Sequence, residues 1–436
     1  MKPIIAIISA LVSVPVFGAQ LNFNGLKSSA VTVEAAPSTG LEGIYVVDGT
    51  AGLTVTVDGA QSVDWSVYGA AGAAYAEPAG HGPSLALGVG DTGVVANYGG
   101  RSYYFWIVDY THHAYDVSAI NFAAEQDCDR TMIDVTGAAD RIVCYDINAR
   151  PVEIDRGIKL SYMTLVYDET TAAYRQTEVT EDLDYLRPTL SVDAPYCDSS
   201  FKLTGDRFLE AWGRGQTVES PVFTTRHVAA ETSAEQQRRD VANEQKDDAA
   251  ALGGSAPCEI DFHAAVTDAA IFHEWQFSHY PEFDPVYDRY TELDINYIFQ
   301  DQGTTYVRLY CADADGTCEY YGPTYEVFIG ESKLDCPNAF TPTSTPGIND
   351  EWRVSYKSIV SFECHIFNRW GTEMFSFTDP SQGWDGKYRG KYVPAGVYFY
   401  VIKATGADGR EYKLSGDINI IGLSDRNGSS TSAPAE

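Results

Sequence analysis

The sequence predicts an all-β protein made of tandem β-sandwich modules with one polar linker between them. Three observations carry this. Apolar and polar residues alternate with a period of two in many short runs, the pattern of a strand with one face in a core. Tyrosine (29) and glycine (38) are abundant and long helix-forming runs are few, a composition that suits pleated, turn-rich structure. Asp-Gly and Gly-rich signals separate the runs, where tight turns need residues that tolerate positive φ. The 436 residues are 44% hydrophobic, enough to fill several cores.

Taken in order, Met1 to Ala19 (1–19) reads as a signal peptide. Lys2 precedes an apolar run from Ile4 to Val16, shorter than the roughly 20 residues that span a bilayer. No cysteine follows that run to take a lipid, and no later stretch is long and apolar enough for a transmembrane helix. Residues 20–125 read as an Ig-like module. Val55 and Val57 alternate with Thr54 and Thr56, and Tyr103 to Val108 is apolar on both faces, as a central strand is. Gly69–Gly82 and Gly88–Gly100 read as glycine-rich connections without a phosphate-loop pattern. Residues 126–228 read as a second Ig-like module with strands at 132–135, 142–145, 158–167, 190–192 and 201–203. Residues 229–256 are rich in Ala, Gln and charge and read as a linker, a solvated helix or mobile segment. Residues 257–332 form a third module, with Trp275–Ser278, Tyr297–Phe299 and Tyr306–Tyr310 as strands. Residues 335–423 read as a last sandwich: Phe362, Cys364 and Ile366 alternate with their neighbours, Asn368–Gly371 turns, and Asp408-Gly409 closes a hairpin. Residues 424–436, rich in Ser, Gly and Pro, read as a disordered tail.

Net charge is −31. Such a surface repels nucleic-acid phosphates, so no nucleic-acid partner is expected. The charge is read as solubility outside the cell. Eight cysteines in an exported chain suit disulfides. Cys311 and Cys318 flank a hairpin turn, Cys336 and Cys364 share the last module, and Cys128 with Cys144 is the third expected pair. The partners of Cys197 and Cys258 stay open. No C-x₂₋₄-C spacing supports a metal.

Catalytic signals are absent from the sequence. His112 and His113 are neighbours, which on a strand point to opposite faces. Asp313-x-Asp315-Gly316 lacks the later ligands of a calcium loop and reads as a turn. No G-x-S-x-G or H-E-x-x-H occurs. No catalytic residue, metal or cofactor is therefore assigned. Tyr103, Tyr104, Trp106 and Trp212 are candidate contact aromatics, with core packing the weightier reading for each.

Several C-terminal motifs also carry a resemblance. They are Asn338-Ala339-Phe340-Thr341-Pro342, Gly347-Ile348-Asn349-Asp350, Ile366-Phe367-Asn368-Arg369-Trp370-Gly371, Trp384-Asp385-Gly386 and Pro394-Ala395-Gly396-Val397-Tyr398-Phe399-Tyr400. In this order they resemble the gliding motility-associated C-terminal domain, the type B sorting domain of type IX secretion in Bacteroidota. Thr343 to Pro346 departs from that family, which has a Gly-Asp-Gly turn there. The resemblance implies a cargo that reaches the periplasm by its signal peptide, engages the type IX machinery, and is secreted or held at the outer-membrane surface. Trp370 and Trp384 are expected in the domain's core. Residues 257–332 resemble PKD-like or other Ig-like modules of bacterial surface proteins. Together these readings describe a non-enzymatic adhesin, stalk or binder of a surface glycan or protein. A secreted hydrolase with an unrecognised β-sandwich site is the alternative.

Overall fold

The computed structural model describes residues 19–245, 252–342 and 347–421. The expected signal peptide (apart from Ala19), the expected disordered tail and the stretch 343–346 lie outside them. The all-β expectation holds: the one α-helix among the described residues is the five-residue Arg207–Ala211. The chain divides into two compact units, Met1–Val166 with Gln176–Thr225, and Tyr167–Arg175 with Arg226–Glu436.

In the first unit, a six-stranded sheet runs in the order Val31–Val33, Gly43–Val47, Arg101–Asp109, Thr92–Tyr98, Val63–Tyr68, Glu77–Gly82. A three-stranded sheet of Leu21–Asn24, Thr54–Val57 and Ser84–Ala86 closes one of its faces. Two of the large-sheet strands lie in segments expected as connections, because Val94, Val95 and Ala96 supply a short buried run between glycines. Gly43–Val47 pairs parallel with Arg101–Asp109. Alternate side chains of this pair go to different cores. Tyr45, Val47, Phe105 and Ile107 pack under the small sheet, while Ile44, Val46, Trp106 and Val108 pack with Ile142, Cys144 and Ile158 of the following module. That is why the run is apolar on both faces.

The first two modules are thus fused through a shared core, and not joined as separate beads. Asp116–Phe122 belongs with the second module, since it pairs with Arg130–Ala138, which pairs with Thr189–Asp193. Ala173–Leu183, Ile158–Asp168, Lys202–Gly205 and Gln216–Glu219 form its other sheet. At the seam, Arg156 and Asp206 are wholly buried as an ion pair. Both Nε (3.0 Å) and Nη2 (2.7 Å) of Arg156 donate to Asp206 Oδ2. Tyr110 from the first module donates its hydroxyl to the same oxygen at 3.0 Å. Asp206 Oδ1 caps the short helix by accepting from Leu209 N at 3.0 Å.

A second polar knot fixes the end of Arg101–Asp109. Asp109 is 1% exposed. It accepts from Thr50 N and Oγ1 (3.0 and 2.6 Å) and from Thr111 N and Oγ1 (3.1 and 2.5 Å). Burial pushes its pKa up, but these hydrogen bonds outweigh burial and hold it lowered to about 2 from an ordinary 3.8. A depressed carboxyl stabilises the fold above its unfolded value and ceases to do so as pH falls through its folded one. Wild-type protein should therefore lose stability between pH 4 and 2 more steeply than Asp109→Asn, read as urea midpoints. Parallel slopes would refute the assignment.

In the second unit, Ala230–Gln236, Cys258–Val266 and Ile295–Phe299 face a sheet of Leu252–Gly254, Tyr325–Ile329, Gly303–Ala312, Phe272–Ser278 and Asp288–Tyr290. Phe262, Trp275, Phe277 and Leu309 fill the space between. The segment expected as a linker (229–256) starts instead as an edge strand, paired over seven positions from Ala230↔Val266 to Gln236↔Ile260. Its inward residues are small or polar, so it carried no apolar signal, and its outward Glu231 and Glu235 guard a sheet edge. Farther on, Asn243 Nδ2 donates to Val354 O (2.7 Å) and Pro380 O (2.8 Å).

The cysteines differ from the expected pairings. Cys144 is a free, buried thiol and Cys128 is disulfide-bonded, so Cys128–Cys144 does not form. Cys144 sits on a separate hairpin, opposite Val152. Cys311 is free whereas Cys318 is disulfide-bonded, so Cys311–Cys318 does not form either. The hairpin register sets Tyr320 opposite Cys311 and leaves Cys318 facing Asp313. Cys336 and Cys364 are both free. The Cys336 thiol is hydrogen-bonded to Tyr400, while Cys364 points into the core.

Candidate functional site

The residues with a functional reading gather in the C-terminal domain. Its sheet runs Ala339–Phe340, Glu411–Ile420, Gly396–Gly406, Ile359–Phe367, Glu373–Phe377. One face is core and the other is open. Phe362, Cys364 and Ile366 point in, as do Tyr398 and Ile402.

The motifs split between these two sides. On the inner side, Trp384 is fully buried against Phe340 (5.7 Å between rings) and Tyr398 (5.2 Å). Its backbone exchanges two hydrogen bonds with Trp352. Gly386 is at φ +75°, and a Cβ there would come within 3.2 Å of Pro342 and 3.3 Å of Phe340, so only glycine fits. Asp385 accepts from Lys387 N at 3.0 Å, Asn349 O accepts from Thr341 N, and Asn338 O accepts from Asn419 N. Asp350 Oδ2 accepts from Gly347 N. Gly396, at φ +144°, begins its strand, and Tyr398 donates its hydroxyl to Pro394 O at 3.1 Å. These residues build the domain.

On the outer side, Asn368 Oδ1 accepts from Trp370 N (2.9 Å) and Thr372 N (3.0 Å). Gly371, at φ +79°, completes the turn. Trp370, expected in the core, is 74% exposed, with the Arg369 guanidinium 4.2 Å from its ring centroid. The side chain of a turn residue has no sheet to cover it. Next to the turn, Val397, Phe399 and Val401 stand 44–46% exposed on the open face. Phe367 pairs with Phe399 and His365 with Val401. A cavity there is lined by Glu363, His365, Phe367, Val401 and Lys403. Hydrogen bonds to Glu363 and then Glu373 raise the His365 pKa against a smaller desolvation effect. The result is an apolar stripe with a charged rim and one large exposed aromatic, a surface suited to docking. A strand apolar on both sides in a small, two-layered domain is the signal that could have exposed it.

The other candidates lie elsewhere. Trp106 is core, and Trp212 donates Nε1 to Ser29 O at 2.7 Å. His112 ends a 3₁₀ turn, and His113 Nε2 lies 2.7 Å from Asp91. The Asp313–Gly316 stretch is a turn, with Asp313 Oδ1 accepting from Thr317 N and Cys318 N.

Residues 334–420 match the family model of the CHU_C type IX secretion signal domain. The C-terminal domain is a type IX secretion signal domain. Residues 120–220 match a fibronectin type III domain, an Ig-like sandwich that agrees with the second module's sheets. The chain is thus a multidomain β protein whose signal domain implies engagement of the type IX machinery and delivery to the cell surface or exterior. No helix among the described residues is long and apolar enough to cross a membrane. No curated protein matches the chain. Among solved structures, the chain is similar to dimeric latent PorU from Porphyromonas gingivalis, at 11% identity and a TM-score of 0.15. The similarity covers 73% of this chain and 35% of that one, and nothing further rests on it.

Proposed function

We propose that this is a non-enzymatic cargo protein whose signal domain is recognised through the open face beside Trp370. Its upstream modules would then act outside the cell as an adhesin, stalk or ligand-binding body for a surface glycan or protein. The signal domain matched at 334–420 carries the reading, and the exposure of Trp370 and the Val397–Val401 stripe supports the choice of surface. The Ig-like modules support a binding or spacing role, because a fold of this kind carries its function in surface sites and not in its packing.

Deletion of residues 334–436 should leave the protein in the periplasm, measured by protease shaving of whole cells. Normal surface delivery of the truncated chain would sink the proposal. Trp370→Ala should fold with an unchanged melting temperature yet be delivered poorly, since removing an anchoring Trp from an interface costs about 2 kcal/mol or more. Full delivery of that variant would move the recognised surface elsewhere.

A further inference from the structure

We propose that the third module binds a neutral polysaccharide across the outer face of its larger sheet. Of the nine strongly exposed aromatic side chains among the described residues, five fall in this one module, and register places three of them, Phe272, Tyr321 and Phe328, on the outer face of its larger sheet. Single exposed aromatics need no explanation, whereas such a concentration marks a contact surface.

Register explains how the face is built. Val307, Leu309 and Cys311 are buried, so Tyr306, Arg308 and Tyr310 on the same strand point outward. Arg308 lies opposite Gln276 and Tyr310 opposite Glu274. The Glu319–Tyr321 strand brings Tyr321 opposite Tyr310, with ring centroids 5.1 Å apart. The Arg308 guanidinium is held between two rings, 3.9 Å from Phe283 and 4.4 Å from Tyr321. Its Nε donates to Gln276 Oε1 at 3.0 Å. Its two Nη groups have no hydrogen-bond partner among the described residues, so they remain as oriented donors. Gln276 Nε2 donates to Glu274 Oε1 (2.8 Å), and Tyr310 donates its hydroxyl to Glu319 Oε1 (2.9 Å). The polar groups are ordered before any ligand arrives, which lowers the entropy cost of binding.

Charge narrows the ligand. On this face Arg289 and Arg308 stand beside Glu274, Glu319 and Glu326, and the chain as a whole carries −31. A polyanion is repelled, and the face is built mainly of rings and fixed hydrogen-bonding groups. An uncharged ligand with apolar C–H faces for the rings and many hydroxyls for the fixed donors and acceptors fits both features. A neutral sugar chain has that chemistry.

The proposal rests on the ligand-binding reading above but not on the secretion route, so it is tested on purified full-length protein. Depletion from solution by insoluble cellulose, chitin, xylan, mannan and starch is measured, with alginate as the acidic control. We expect retention on at least one neutral polymer and none on alginate. Tyr321→Ala and Arg308→Gln should weaken retention roughly tenfold or more, with unchanged melting curves, while Tyr75→Ala, exposed in the first module, should bind as wild type. Tyr321 is half-exposed, so its alanine variant keeps the test valid if Arg308→Gln is destabilised. Absence of retention on every neutral polymer, preference for alginate, or retention indifferent to Tyr321→Ala overturns the site. A chain that binds none of these polymers yet is delivered normally to the surface refutes this inference alone.

Discussion

Asp206→Ala should destabilise the first unit by about 3–5 kcal/mol, the cost of leaving a buried charge without its partner. Arg156 and Asp206 are both fully buried, so the guanidinium left behind cannot reach water without opening the core. The same substitution removes the helix cap at Leu209 N and the acceptor of the Tyr110 hydroxyl. Burial, then the nearby Asp206 carboxylate, raises the Tyr110 pKa, so its phenol stays protonated and able to donate. The loss should appear as a lower urea midpoint with an unchanged m-value. Tyr110→Phe should cost less, about 1 kcal/mol, since it removes one hydrogen bond and keeps the ring. Replacing both charged residues, Arg156→Met with Asp206→Leu, should recover much of the loss, because an apolar pair leaves no charge unpaired. A single-variant loss below about 1 kcal/mol would show that water reaches the seam.

Trp384→Ala should lower the stability of the signal domain by about 3–5 kcal/mol, the usual cost of truncating a buried Trp. The indole is enclosed by Phe340 and Tyr398 and donates Nε1 to Lys387 O at 3.0 Å. Its removal opens a cavity and strands that carbonyl. Trp384→Phe should keep part of the packing and sit between the two. Delivery to the surface should fail with the fold in Trp384→Ala, whereas Trp370→Ala should lose delivery with its fold intact. Melting curves of the two purified variants, set beside whole-cell shaving, separate scaffold from address. Equal melting temperatures for both would contradict the assignment of Trp384 to the core.

The C-terminal sheet was legible in the sequence because Phe362, Cys364 and Ile366 alternate with polar Glu363 and His365, and glycines such as Gly371 and Gly409 mark turns at positive φ. The central position of Tyr103–Val108 was legible for a related reason, since a run apolar on both sides needs cover on both. What covers it was hidden, because Ile142 and Cys144 lie in another module and periodicity is a local signal. Ala230–Gln236 and Ala173–Leu183 escaped notice because their side chains are small, polar or exposed; backbone pairing alone makes them strands. The Cys311–Cys318 pairing failed on register, which spacing does not reveal: the strands pair Cys311 with Tyr320, two positions beyond Cys318. Trp370 was misplaced because a tryptophan in a motif reads as core until its turn is seen to leave the sheet.

The parallel pairing of Gly43–Val47 with Arg101–Asp109 also sets a timetable. About sixty residues separate the partners, and the cover on their second face arrives later still, so this pairing closes after the sheet's local hairpins. Contacts so distant along the polypeptide close slowly. The sheet at the front of the protein is thus completed only by residues far along the polypeptide, and its last pairing waits for them.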